Sequence, residues 1–409
     1  MDHELRQVLD GVAHNRPTVP VGASALVLHE ARLHADDGAA SRAYAHAFAV
    51  ASGHAPPGGD ADHLLAETAE GLWKWERHGE FTTWTVVLPG TFEPSAPVRA
   101  PAMLADAPGE RFVAAAVFVS PDAPSDDALD RALGAETPEN ERAGSTISGG
   151  LASVWTAFRI GGDGWTRFLF ADRGLNRFRR GRVVRRLLEI EMYRIAALLA
   201  FPLAKRTWRE IDALELKVGA AIAREDRPEG EVLDELIDAS RAIERMAYET
   251  AFRFGAAAAY SRLVDQRLVE FREARIEGLQ RLSTFLARRF APAMDTCAAT
   301  RARLETLAKR VERAAGMIRT RVDLTRAAQN QRLLGSMDDN ARAQLRLQKA
   351  VEGFSVAAIS YYAYSLLAKA LAPGAHALGE SREVVFNAAL VVAVVSGVWA
   401  SSHRVRKHL

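Results

Sequence analysis

The hydrophobic pattern of the chain changes period once, near Leu175. Before it, short apolar runs are separated by Gly, Pro and charged residues. After it, apolar positions recur at three- and four-residue steps with few interruptions. In the first region Ala23–His29 (ASALVLH) predicts a short strand and the Ala-rich Gly38–Ser52 a helix. Leu72–Val87 (LWKWERHGEFTTWTVV) is dense in aromatic and β-branched residues, and reads as one strand or as a hairpin turning near His78-Gly79. Phe112–Val119 (FVAAAVFV) is apolar throughout, as a strand buried on both faces would be. Leu151–Ile160 and Trp165–Ala171 alternate around Gly161-Gly162-Asp163-Gly164, a hairpin signal. Pro121–Ser125 and Glu136–Ala143 read as loops. Adjacent hairpins predict an α+β domain over residues 1–176, with a mixed, largely antiparallel sheet and helices packed on it.

Residues 177–341 predict a helical stalk or bundle. Arg179–Phe201 is a buried amphipathic helix, because Glu189, Glu191 and Arg194 interrupt its apolar run, and Pro202 kinks or stops it. A helix from Thr207 to Arg224 follows, then a turn at Asp226–Gly230, then a helix drawn from Glu231 to Phe290 in which Gly255–Ala259 allow a neighbour close. Pro292 marks a further break. Leu304, Leu307, Val311, Ala314, Ile318 and Val322 recur with coiled-coil-like spacing. Between Met294 and Ala372 there is no Pro, and an unbroken helix would span on the order of 120 Å. Gly335-Ser336 is the expected break, with Ser336 or Asp338 as a new N-cap.

Residues 342–409 carry two apolar runs. Phe354–Ala372 holds nineteen residues with Lys369 as its one formal charge, and Val384–Ala400 holds seventeen, with Asn387 and Ser396 polar and Trp399 placed as an interfacial aromatic. About 20 apolar residues cross a bilayer core, so a two-helix transmembrane hairpin is expected, against the alternative of a helical hairpin buried in a soluble core. Arg342, Arg346 and Lys349 precede the first run, and Arg404, Arg406 and Lys407 follow the second. The loop Pro373–Glu383 has only Arg382, beside Glu380 and Glu383. The positive-inside rule then places both termini in the cytoplasm. The start of the chain is charged and lacks an apolar signal segment.

Composition adds little to this picture. Lys+Arg 53 against Asp+Glu 51 gives a net charge of +2, so no broad nucleic-acid footprint is expected. The single Cys297 excludes an intramolecular disulfide framework and fits a reducing compartment. P-loop, GxSxG, CxxC and HExxH motifs are absent, and no cofactor or catalytic residue is expected.

Three constellations stand out. Gln344, Gln348, Glu352, Ser355, Ile359, Tyr362, Leu366 and Lys369 share one helical stripe. In a ring of subunits they would line a pore, with Gln348 and Glu352 at its cytoplasmic mouth and Ile359 and Leu366 as constrictions. The alternative is a polar cap above an ordinary anchor. A Lys369 ring would repel cations unless neutralised. Glu76, Arg77, His78 and Glu80 form a second group. On one strand, Glu76, His78 and Glu80 would share a face as metal ligands. With a turn at Gly79, Arg77 would instead pair with Glu80. Glu189, Glu191 and Arg194, with Tyr193, form a third, in which Glu191 and Arg194 can pair on one face. Arg177–Arg186 (RFRRGRVVRR) reads as a helix face paired to acidic groups.

WERHGEF (Trp75–Phe81), GRVVRRLLEIEMYRIAALLAFPLA (Gly181–Ala204), RRFAPAMDTC (Arg288–Cys297), RTRVDLTRAAQNQRLLGSMD (Arg319–Asp338) and LRLQKAVEGFSVAAISYY (Leu345–Tyr362) resemble the bacterial membrane-anchored proteins grouped as domain-of-unknown-function family 3422. The resemblance spans nearly the whole chain and implies a bacterial inner-membrane protein; it brings no activity. The layout alone is similar to CorA-type two-span channels, which implies a homo-oligomer, a pentamer by analogy, with the lipid bilayer as its other partner. The Gly-Met-Asn loop of those channels is missing from PGAHALGESRE (Pro373–Glu383). The expected function is therefore a CorA-like channel or transporter of unknown solute. The alternative is a non-conducting membrane-anchored scaffold or sensor, and a membrane-associated enzyme has least support.

Overall fold

The computed structural model describes residues 6, 18–35, 37–58, 61–134, 141–223, 227–375 and 380–407. The charged start of the chain and most of the Glu136–Ala143 loop lie outside them. Residues 1–315 and 316–409 form two compact units.

In the first unit, β1 (Ala25–Leu33), β2 (His63–Glu67), β3 (Leu72–Arg77), β4 (Phe81–Pro89), β5 (Glu110–Ser120), β6 (Ala143–Ile147), β7 (Ala152–Ile160), β8 (Thr166–Asp172) and β9 (Ala274–Arg275) form one sheet. Their order across it is β2-β3-β4-β1-β5-β8-β7-β6-β9. Among the described strands only β5 and β8 run parallel, so the sheet is mixed and largely antiparallel. The Leu72–Val87 stretch is a hairpin: His78 N donates to the Phe81 carbonyl at 2.8 Å, and β3 pairs with β4. β5 is buried on both faces, because Val113, Ala115, Val117 and Val119 join one core while Ala116 and Phe118 join the other.

The helices of this unit are α1 (Ala39–Ala51), α2 (Ala102–Ala105), α3 (Asp126–Leu133), α4 (Arg177–Leu198), α5 (Ala200–Ala223), α6 (Glu229–Phe271) and α7 (Leu282–Arg289), with the first part of α8 (Ala291–Ala375). One sheet face carries α1 and α2 over Trp73, Trp75, Trp84 and Phe118. The other carries α4, α6 and α7, whose Val184, Leu188, Phe254, Val264 and Phe285 meet Val27, Val117, Phe168 and Phe170.

The entry to α4 is fixed locally. The Asn176 side chain accepts from Arg179 N at 2.9 Å, and Asp172 accepts from Leu175 N at 2.8 Å while pairing with Arg180, both of its partners being buried. Pro202 acts as expected: α4 stops at Leu198, the residue four before it, whose carbonyl a proline ring would strike. Pro292 occupies the second position of α8, where its missing N–H is no loss.

Three helical expectations are corrected. The helix drawn to Phe290 ends at Phe271, because Arg272 turns left-handed (φ 49°) and the chain leaves to lay β9 beside β6. Gly255 allows no close approach, since nothing lies within 4 Å of where a Cβ would be, although Ala257 is buried. No break occurs at Gly335: an interior glycine costs only about 1 kcal/mol against alanine, too little to stop a long helix. On α8, Leu304, Leu307 and Val311 are buried, Ala314, Ile318 and Val322 half-buried. Arg303 ties this stretch to α5 through Asp212 and Glu215 and lies over the Trp208 ring.

The second unit holds the rest of α8 and α9 (Glu380–Lys407). The loop expected at Pro373–Glu383 is shorter, because α8 continues to Ala375 and α9 begins at Glu380. The side chains of residues 372–383, with those of Val405, Arg406 and Lys407, lie outside the described ones. Among the described residues two helices, α8 and α9, contain stretches long and apolar enough to cross a membrane by length and composition.

Candidate functional site

The sheet and α4 frame a cavity of about 50 Å³ lined by both polar and apolar side chains. Its floor follows from strand alternation. Trp73 and Trp75 of β3 face α1, so Lys74 and Glu76 point to the opposite face, under α4. Across the sheet Lys74 lies opposite Thr85, and Thr85 opposite His29; Glu76 lies opposite Thr83. Val27 and Val87 complete the floor. The roof is one stripe of α4: Gly181, Val184, Arg185, Leu188, Glu189 and Met192. Val19 and Val21 close one end. Gly181 is required here, because a Cβ would sit 2.0 Å from the Val19 carbonyl oxygen.

His29 and Lys74 are buried in this cavity, and Glu76, His78, Arg185 and Glu189 are half-buried around them. Lys74 Nζ and Glu76 Oε1 are 2.8 Å apart, with Lys74 only 4 % exposed. Burial pulls the Lys74 ammonium below its ordinary pKa, against the pull of Glu76. Burial pushes the Glu76 carboxyl up, but Lys74, Arg185 and His78 outweigh it and its pKa is lowered. His29 Nδ1 is 2.8 Å from Thr85 Oγ1, whereas its Nε2 is buried without a hydrogen-bond partner. Burial lowers the His29 pKa to about 4, and the imidazole is neutral at neutral pH. Arg185 donates to Glu189 at 2.8 Å, and Arg267 of α6 reaches Glu189 from outside.

The Glu76–Glu80 group is divided. Glu76 and His78 line the cavity. Arg77 does not meet Glu80; it pairs with Asp62 (2.7 Å) and Asp37 (3.0 Å). Glu80, beyond the turn, accepts from Tyr260 at 2.8 Å and pairs with Arg253 at 2.7 Å, joining the hairpin to α6. No three His, Cys, Asp or Glu side chains among the described residues converge as metal ligands. Glu191 and Arg194 form a two-point pair, with Arg194 over the Phe158 ring. Of the Arg177–Arg186 run, Arg180 is buried against Asp172, and Arg185 and Arg186 meet Glu189 and Glu270.

In the second unit the candidate stripe lies outward. Gln344, Gln348, Ser355, Ile359, Tyr362, Leu366 and Lys369 are exposed, and Glu352 is half-buried. The sheltered positions form different stripes at three- and four-residue steps: Val356, Ser360, Ala363 and Tyr364 on α8, and Phe386, Leu390, Val394 and Val398 on α9. Met317, Leu324, Leu334 and Leu345 are exposed and occupy the heptad frame of Ile359, Tyr362 and Leu366.

The protein is thus of a mixed α+β class extended by long helices, ending in an apolar one. A family model described as "Protein of unknown function (DUF3422)" matches residues 1–409, and the chain belongs to that family. No curated protein and no solved structure matches it, and the CorA-like layout finds no support there.

Proposed function

We propose that the protein is a membrane-anchored homo-oligomer whose α8 and α9 cross the inner membrane as a hairpin, holding the α+β domain on the cytoplasmic side as a scaffold or sensor. The carrying observation is what the second unit leaves uncovered. Phe354 (77 % exposed), Tyr361, Leu366, Val384, Val385, Val392 and Trp399 face outward, while Ser360 and Asn387 are sheltered. Apolar outside with polar inside is the arrangement lipid requires, and it is costly in water. The Lys/Arg residues flanking both runs favour cytoplasmic termini.

Self-association is favoured by the heptad positions Met317, Leu324, Leu334 and Leu345, which stand exposed among the described residues. Membranes should hold the chain after gentle lysis, with release only by detergent. Recovery in the soluble fraction would end the membrane reading. With Cys297→Ser, Leu324→Cys should cross-link copies of the chain in the membrane, and a purely monomeric product would end the oligomer.

A second reading is a CorA-like channel or transporter. It is favoured by the outward position of Gln348, Ser355, Tyr362 and Lys369 on the same heptad stripe. Proteoliposome flux that changes selectivity in Lys369→Glu would support conduction, and an impermeable vesicle would leave the scaffold.

A further inference from the structure

We propose that the turn after β8 and the first two turns of α4 form a docking surface for a membrane rich in acidic phospholipid. The choice of partner rests on the membrane reading, whereas the surface itself does not. From Arg173 to Leu188 the chain carries seven arginines and no acidic residue, in a protein whose net charge is only +2. Three of them are satisfied within the fold: Arg180 by Asp172, Arg185 by Glu189 and Arg186 by Glu270. Arg173, Arg177, Arg179 and Arg182 are exposed and meet no acidic group among the described residues. The pairing expected of this run stops with the first three.

Two further features point to a lipid surface. Arg179 and Arg182 are three apart and Phe178 and Arg182 four apart, so the three share one face of α4. Phe178 is 47 % exposed, and the Arg177 guanidinium lies over its ring at 4.8 Å. An apolar ring set among cations fits a headgroup layer: the ring reaches the acyl boundary while the guanidinium forks take phosphate oxygens two at a time. The charges are also placed against local stability. The first turn of α4 has no acidic residue, and arginines there add to the positive end of the helix dipole. An acidic surface relieves that repulsion. Nucleic acid fits less well. The bare positive strip ends at Arg182, because Arg185 and Arg186 are already paired, and one ring gives no platform for successive bases.

The test holds the full-length chain in phosphatidylcholine nanodiscs and mixes it with separate vesicles, made of phosphatidylcholine alone or with added phosphatidylglycerol. Co-flotation should require the acidic lipid and weaken with salt. Each arginine near such a surface is worth about fivefold in binding, so the combined Arg177→Gln, Arg179→Gln and Arg182→Gln variant should bind roughly a hundredfold less. The same variant should melt no lower than the parent, since it sheds only like charges, and this separates a lost contact from a lost fold. Phe178→Ala should reduce the part of the binding that survives high salt. Equal co-flotation with both vesicles, an unweakened triple variant, or preferential capture of single-stranded RNA over acidic vesicles would overturn the proposal. A chain that leaves its nanodisc without detergent would sink the membrane reading instead, with vesicle binding still measurable in buffer.

Discussion

Replacing Gly181 by alanine sets two opposed effects against each other at one position. In a helix interior the substitution ordinarily stabilises by about 0.5–1 kcal/mol, because glycine loses more backbone freedom on folding. At Gly181 the new methyl would meet the Val19 carbonyl oxygen at 2.0 Å and its carbon at 3.1 Å. An ordinary contact needs more than about 3 Å, so helix and strap must part by roughly 1 Å. The strap cannot yield freely: Val21 N donates to the Arg177 carbonyl at 3.1 Å, and buried Arg180 holds the Val21 carbonyl at 2.7 Å. Overpacking against fixed backbone costs about 1–3 kcal/mol or more, and the net expectation is a loss of about 2 kcal/mol. Gly255→Ala on α6 is the control, since its methyl meets nothing within 4 Å and should stabilise by about 0.5–1 kcal/mol. Thermal denaturation of the purified chain should show Gly181→Ala lower by about 2–4 °C and Gly255→Ala higher by about 1–2 °C. If Gly181→Ala is as stable as Gly255→Ala, the packing of α4 against Val19 is not as described.

Three further expectations concern buried polar groups. Glu30, fully buried, accepts from Arg32 (2.7 Å) and Arg111 (2.9 Å), so Glu30→Ala should cost about 3–5 kcal/mol in denaturant unfolding, and a loss near zero would contradict this pairing. Below pH 6.5 the unfolded chain protonates His29 while the folded chain, held down to about 4, does not, so stability falls as pH drops through that window. The difference is about 3 kcal/mol, and denaturant midpoints of His29→Asn across pH 7 to 4 should be flatter than those of the parent by that amount. Cys297 is 5 % exposed and burial raises its thiol pKa to about 11, so alkylation at pH 8 should be slow in the folded chain and rapid once it is unfolded.

Much of the sheet was legible because its strands carry strong local signals. β5 and the two hairpins overlap the runs that predict them, and β1 overlaps Ala23–His29 but continues to Leu33 through the charged Glu30 and Arg32, which the apolar run did not mark. β2, β6 and β9 were missed for physical reasons. HLLAE is short and at an edge, AGSTI is built of small residues, and β9 is two residues long. Nothing marked the end of α6, since Arg272 adopts a left-handed turn without glycine or proline. The cavity was only half visible. The pattern of a single strand puts Glu76, His78 and Glu80 on one face, of which only Glu76 and His78 reach the cavity, and His29, Thr83, Thr85 and Arg185 come from segments that only sheet register and α4 unite. One usable signal lay in LWKWER: charged residues between buried tryptophans point to a polar layer under a helix rather than to solvent.

The two residues of β9 have a consequence for how the protein is made. β6 is left with one bare side until Ala274 and Arg275 arrive, and Gly144 N takes the Gln280 carbonyl at 2.9 Å only once that segment returns. On the ribosome, more than ninety residues after β8 must emerge before that flank is closed. A fragment cut between the strands and the first long helices would therefore offer a naked row of amides to its neighbours, and clumping is the expected fate of such a piece.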